Sequence, residues 1–70
     1  MKRETVKHWI DGRKEITLDR EDVDLARVYL REGYSKIEVA REFHQSGYML
    51  HHGVAIAHCA AQEIERDDAR

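Results

Sequence analysis

Five histidines and one cysteine are the side chains in this sequence whose chemistry could support a metal site or a nucleophile. His51 and His58 are seven residues apart, so on a helix they share a face but differ by about 10.5 Å in rise. One metal ion does not bridge that distance, and the four-residue spacing of the usual helical metal pair does not occur. The sequence therefore predicts no metal site and no cofactor. We expect ordinary surface or partly buried histidines, with a pH-sensitive interface as the alternative.

Covalent catalysis is not predicted either. His58 and Cys59 are adjacent, and neighbouring side chains on a helix point about 100° apart, so they do not form a thiolate pair. Because Cys59 has no second cysteine to pair with, we expect a small apolar core residue in a reducing, cytoplasmic compartment. The sequence also contains no glycine-rich phosphate loop. These features predict a protein that is not an enzyme.

The size and charge of the chain limit its class. Seventy residues make one domain at most, and the formal net charge of -2 is far from the positive excess of strong nucleic-acid binders. The charged first residues do not predict a signal peptide, and residues 43–62, with four histidines, are too polar to span a membrane. Because a short chain buries a thin core, we expect a homodimer to add stability.

Two similar hexapeptides mark helix starts. Residues 18–23 and 34–39 each carry an apolar residue, a capping residue, an acid three positions later and a second apolar residue. This is the pattern of a capping box with a hydrophobic staple, and Gly33 between the two copies is a stop signal. Ser46 is a further candidate N-cap. The pattern predicts three helices, over residues 20–32, 36–44 and about 48–66.

Strand-forming residues before the helices predict a β-hairpin over residues 5–18. Asp11-Gly12 indicates a two-residue type I′ turn, which would place His8 opposite Glu15. In that register neither face is cleanly apolar, so the hairpin either packs one face on the helices or serves as a β-wing or pairing edge. The predicted fold class is mainly α: a single domain of residues 1–70, with a hairpin over 5–18, a three-helix (helix-turn-helix) unit over 19–66 and a frayed tail over 67–70.

The third predicted helix has a coiled-coil-like seam. Leu50, Val54, Ala57, Ala61 and Ile64 fall at alternating spacings of four and three residues. Either the first two helices fill this seam, or part of it contacts a second copy of the chain. The single tryptophan either anchors the hairpin or lies exposed at an interface. The predicted dimer or partner interface is Trp9, Leu50, Ala57, Ala61 and Ile64.

Residues 25–41 resemble the first half of bacterial and phage helix-turn-helix DNA-binding domains. An apolar helix is followed by Gly33, an apolar residue and a serine, and then by a helix with an aliphatic–alanine pair at 39–40. The resemblance covers about residues 25–54 and implies that the third helix is the recognition helix. Residues 42–65 nevertheless contain no arginine or lysine, although arginine is the commonest base reader. The implied DNA contacts are Ser46, Tyr48, His51 and His52 in the groove, and Lys36, Arg41, Arg13 and Lys14 at phosphates.

The same stretch is similar to a ubiquitin-associated-like three-helix module. Gly33-Tyr34-Ser35 stands where that family has its glycine–phenylalanine loop, and Ser46-Gly47 matches its second loop. The resemblance implies protein partners bound by the first loop and the end of helix three. We expect a small DNA-binding accessory or transcriptional regulator of bacterial or phage type that binds double-stranded DNA. The alternative is a non-catalytic protein-interaction module, an adaptor or inhibitor, that docks a partner on helix three or the hairpin.

Overall fold

The computed structural model describes residues 4–10, 12 and 14–69, which form a two-stranded hairpin followed by three helices. The elements are β1 (Thr5–Ile10), β2 (Lys14–Asp19), α1 (Arg20–Arg31), α2 (Lys36–Gln45) and α3 (Leu50–Asp68). Helices α1 and α2 both pack on α3, and the hairpin contacts α1 and α3. The predicted fold class, mainly α with an N-terminal hairpin, is confirmed.

The hairpin pairs one residue away from the predicted register. Trp9 lies opposite Glu15 and His8 lies opposite Ile16, so three residues join the strands and the predicted two-residue turn is wrong. The reason is burial, because a shift of one residue moves every side chain to the other face of a strand. In the observed register one face of the hairpin collects Val6, His8, Ile16 and Leu18. Leu18 is fully buried, whereas Trp9 on the opposite face is 58% exposed.

The two predicted capping boxes have different outcomes. Ser35 forms the complete box, since its Oγ accepts from the Glu38 N–H and the Glu38 carboxylate accepts from the Ser35 N–H, both at 3.1 Å. At the start of α1, Asp19 occupies the N-cap position but makes no side-chain cap hydrogen bond. The first helical N–H, that of Arg20, instead donates to the Glu4 carbonyl at 2.9 Å. The Glu4 carbonyl, just before β1, therefore accepts a hydrogen bond at the N-terminus of α1, where the Asp19 side chain forms no cap.

The turn between α2 and α3 begins where the sequence predicts but is longer. Ser46 is the C-cap of α2, and its Oγ donates to the Glu42 carbonyl at 3.0 Å, so its predicted role as N-cap of α3 is wrong. Gly47 follows with a φ of 105°, a left-handed conformation that glycine adopts at little cost. Met49 is the N-cap of α3, which begins at Leu50.

The buried face of α3 differs from the predicted seam. Leu50 and Val54 are 58% and 51% exposed, so they are not core residues, although Ala57 is buried and Ala61 and Ile64 are half-buried. A Cβ on Gly53 would lie 2.8 Å from the Ala40 carbonyl oxygen, which shows how closely α2 approaches α3 at that position. Because α2 packs on α3 at Gly53, Leu50 and Val54 fall outside the buried face of α3. The stripe on α3 consists of Gly53, Ala55, Ile56, Ala57, Cys59 and Ala60.

Candidate functional site

A depression with many apolar lining residues lies between β1 and the N-terminal half of α3. Its volume is about 480 Å³. Strand β1 contributes two neighbouring residues to it, His8 from the buried face of the hairpin and Trp9 from the opposite face. Helix α3 contributes Leu50 and Val54, which are four residues apart and therefore lie on one face. The lining residues are His8, Trp9, Leu50, His51, Val54, Ala55 and His58.

A second depression of about 210 Å³ continues this surface toward α2. It shares Val54 and His58 with the first depression and adds Lys36 and Ile37 at the start of α2. Ile37 is 73% exposed. The two depressions together form one surface, which we call the apolar groove. Four exposed apolar residues define it: Trp9, Leu50, Val54 and Ile37. None of the described residues that line either depression is an aspartate or a glutamate, and Lys36 is the one lysine or arginine among them.

A histidine pair forms the floor of the groove. His8 is 6% exposed, and its Nε2 lies 3.1 Å from Nδ1 of His58, with the two rings edge to face. One of these nitrogens carries the proton and the other accepts it, so the contact requires at least one neutral ring. Burial and the neighbouring His58 lower the pKa of His8 from its ordinary value of 6.5. His8 is therefore neutral in the folded protein at neutral pH.

This pair predicts acid-sensitive stability. Unfolded His8 takes up a proton at its ordinary pKa of 6.5, whereas folded His8 does so at lower pH. Between these values the unfolded state binds more protons, so the stabilising contribution is complete above pH 6.5 and decreases as the pH falls toward the folded pKa. His8→Phe should flatten this part of the profile when urea midpoints are measured against pH. An unchanged slope in His8→Phe would contradict the assignment.

The remaining chemistry-bearing side chains are spread over the described part of the chain. No group of three or more histidine, cysteine, aspartate or glutamate side chains is placed there to hold a metal ion. Cys59 is 4% exposed in the core, and burial raises the pKa of its thiol. A buried neutral thiol is a poor nucleophile. Cys59 therefore serves as a packing residue in this structure.

The predicted DNA-contacting residues divide between two surfaces. Tyr48 is half-buried, and its hydroxyl donates to the Asp22 carboxylate at 2.7 Å. His52 stands edge-on to the Tyr48 ring, and both line a shallow depression with Asp19 and Asp22. Acids beside a helix start oppose phosphate binding. Tyr48 and His52, both predicted to face the DNA groove, therefore lie beside carboxylates. Ser46, predicted to face it as well, is hydrogen-bonded to its own helix α2.

The other described residues that were predicted to contact DNA are exposed to solvent. His51 and Lys36 line the apolar groove, and Arg41 is exposed one turn after Ile37 on α2. Lys14 is exposed at the start of β2. Arg13 lies outside the described residues.

The predicted interface residues are divided in a similar way. Trp9 and Leu50 border the apolar groove, whereas Ala57 is buried beneath it. Ala61 and Ile64 line another, more open depression that shares Lys36 with the groove and includes Tyr34 and Ser35 of the first loop. The five predicted residues are therefore spread over neighbouring depressions.

An arginine–carboxylate ladder joins α1 to the end of α3, and the sequence analysis missed it. Arg20 donates two hydrogen bonds to the Glu63 carboxylate, one of them at 2.8 Å. Arg27 contacts both Glu63, at 3.1 Å, and Asp67, at 2.6 Å. The signal in the sequence was helical spacing. Arg20 and Arg27 are seven residues apart, and Glu63 and Asp67 are four residues apart, so each pair lies on one face of its helix.

The last ion pair of the ladder lies at the C-terminus of α3. Arg31 binds Asp68 at 3.1 Å, and α3 is helical through Asp68, in place of the frayed tail that the sequence predicts from residue 67. Cations near a helix C-terminus also complement its dipole. The ladder therefore occupies the α1 arginines with carboxylates of the same chain.

Comparison of the chain with protein-family models, with curated proteins and with solved structures gives no match. Among the described residues, no helix combines the length and the apolar character needed to cross a bilayer.

Proposed function

We propose that this chain is a non-catalytic protein-interaction module that binds its partner along the apolar groove. The observation that carries the proposal is the exposure of Trp9, Leu50, Val54 and Ile37, each more than half accessible around one continuous depression. Contiguous exposed apolar surface of this kind marks interaction sites. Burying a fully exposed side chain of this size contributes about 1.5–3 kcal/mol, and these four, 51–73% exposed, each supply the corresponding part of that on binding.

The charge distribution favours a protein over a nucleic acid as the partner. The ladder occupies Arg20, Arg27 and Arg31 of α1 with carboxylates. Helix α3 has no lysine or arginine before Arg66, so its exposed N-terminal half offers apolar side chains and imidazoles. The single cysteine, buried as a free thiol, supports a cytoplasmic location for the module.

Photo-crosslinking tests this function in the cells that make the protein. A photoreactive residue in place of Val54 should give a discrete crosslinked product, because this position lies in the middle of the groove. Leu50→Glu in the same chain should remove the product by placing a charge in the contact. The matched control, the same photoreactive residue in place of the exposed Glu21 on α1, should give none. The absence of a product from position 54, or an equal one from position 21, would contradict the proposal.

DNA binding is the second candidate, and it is favoured by the α2–turn–α3 arrangement with Lys36 and Arg41 exposed on α2. Phosphate contacts make affinity fall steeply as salt rises. Binding of generic duplex DNA at low salt, released by added salt and lost in Arg41→Glu, would replace the first proposal with this one.

A further inference from the structure

We propose that the partner on the apolar groove is a second copy of this chain, so that the groove is one half of a symmetric homodimer interface. This inference rests on the proposed function, because it names the partner of the same surface. It depends on three features of the molecule: the distribution of its large apolar side chains, the shape of the groove and the charges at the two ends of the groove.

The described chain exposes more large apolar side chains than it buries fully. Five are buried to 5% exposure or less: Leu18, Val23, Val39, Phe43 and Ile56. Five more pack against this core half-buried: Val6, Ile16, Tyr29, Leu30 and Tyr48. The rest of the buried apolar core is alanine and one cysteine. Eight are exposed by 38% or more: Trp9, Leu25, Val28, Tyr34, Ile37, Met49, Leu50 and Val54. A core this thin supports only marginal stability in a chain of 70 residues. A constant partner, always present when the chain is made, provides the missing burial.

The groove has two different ends, and a two-fold axis across its middle places each end against the other. An isologous contact uses the same patch twice, so one end of the patch must fit the other end. Trp9 stands at one end, beside β1, and the depression next to Ile37 lies at the other end, beside α2. Val54 lines both depressions and is therefore at the centre. A two-fold axis near Val54 places Trp9 of each copy against the Ile37 end of the other copy.

The charges at the two ends are also complementary under this symmetry. Lys36 lies at the Ile37 end. Glu15 lies opposite Trp9 on the hairpin, at the other end, where Lys7 is 3.9 Å from its carboxylate. The two-fold arrangement brings Lys36 of one copy near Trp9 and Glu15 of the other, as a cation beside an aromatic ring and a carboxylate that it shares with Lys7. The centre of the groove carries no carboxylate, so two copies meet there without repulsion between acids.

Sedimentation equilibrium of the purified full chain tests this inference. The chain has a mass of 8.3 kDa, and we expect twice that mass, dissociating on dilution. Leu50→Glu should weaken self-association by about 100-fold or more, since charges buried at an interface cost several kcal/mol. The matched control is Leu25→Glu on α1, another exposed leucine outside the groove, which should remain dimeric. Circular dichroism of both variants establishes that the helices are retained.

A disulfide gives a second measurement that does not depend on a disruptive variant. In a Cys59→Ala background, Val54→Cys should form a covalent dimer on mild oxidation, because two copies of this position meet at the axis. Glu21→Cys in the same background should stay monomeric under the same conditions.

The outcomes separate this inference from the function on which it rests. A wild-type monomer at the highest concentration, a dimeric Leu50→Glu or a monomeric Leu25→Glu would each overturn the homodimer. If position 54 still crosslinks in cells to a different protein, the interaction module stands and only the identity of its partner is wrong. If position 54 gives no product in cells and the chain is monomeric, both proposals fail.

Discussion

Gly53→Ala is expected to destabilise the fold by about 1–3 kcal/mol, the range typical of overpacked cores. Alanine is the better helix former by about 1 kcal/mol, so intrinsic propensity alone predicts the opposite sign. The steric effect dominates because the added Cβ would lie 2.8 Å from the Ala40 carbonyl oxygen and 3.4 Å from the Phe43 Cβ. A backbone oxygen inside α2 cannot rotate away, so the two helices must separate. Urea denaturation followed by far-UV circular dichroism measures the loss.

Gln62→Ala on the same helix is the control for this change. Gln62 is exposed and lies outside the apolar groove, so its truncation should alter the free energy of unfolding by no more than about 0.5 kcal/mol. Both variants are compared with the wild type at one protein concentration, since self-association would add to the apparent stability. A Gly53→Ala protein as stable as the wild type would show that α2 and α3 are farther apart than this contact implies.

Glu63→Gln is expected to cost about 1.5–3 kcal/mol, the usual contribution of hydrogen bonds to a charged group. Glu63 is the centre of the ladder, with a side chain that is only 16% exposed, and it accepts from both Arg20 and Arg27. The substitution keeps the size of the side chain but removes its charge. The side chains of Arg20 and Arg27, 25% and 31% exposed, then lose this carboxylate and keep only Asp24 and Asp67, respectively, among their acidic partners in the described chain. Chemical denaturation at neutral pH measures this cost.

The same residue predicts how stability responds to acid. Hydrogen bonding from Arg20 holds the pKa of Glu63 below its ordinary value of 4.5. The contribution of this group is therefore complete above pH 4.5 and is lost as the pH falls from there toward the folded pKa. The difference between wild type and Glu63→Gln should shrink over that range. Glu65→Gln, at an exposed position on the same helix, should change stability little at any pH; an equal effect of the two variants would contradict the central role of Glu63.

Both variants also bear on the groove, because they act on the placement of α3. Gly53 sets the distance between α2 and α3, and Glu63 holds the far end of α3 on α1. Leu50 and Val54 reach the surface as a consequence of that placement. A loss of self-association in either variant would therefore follow from a moved helix, whereas Leu50→Glu changes the contact surface directly.

Local chemistry accounts for the parts of the fold that were predictable. The Ser35 capping box involves residues three positions apart, so its outcome depends little on the rest of the chain. Gly33 and Gly47 end α1 and α2 through left-handed backbone conformations that are local to each turn. The hairpin and the three helices therefore follow from neighbouring residues, and all four were predicted within a few residues of their observed bounds.

Contacts between distant residues decided the rest. The hairpin register follows from burying Leu18 and His8 against the helices, which a turn rule does not include. The candidate site followed the same logic: Trp9 and Leu50 were predicted as interface residues and Val54 as part of the seam on the third helix, whereas Ile37 joined them only once α2 packed on α3 at Gly53. The sequence by itself determined the number, type and order of the strands and helices, and their ends to within a few residues, because those signals act over three or four residues. Only the tertiary structure decided which faces are buried, because burial is a property of elements packed together.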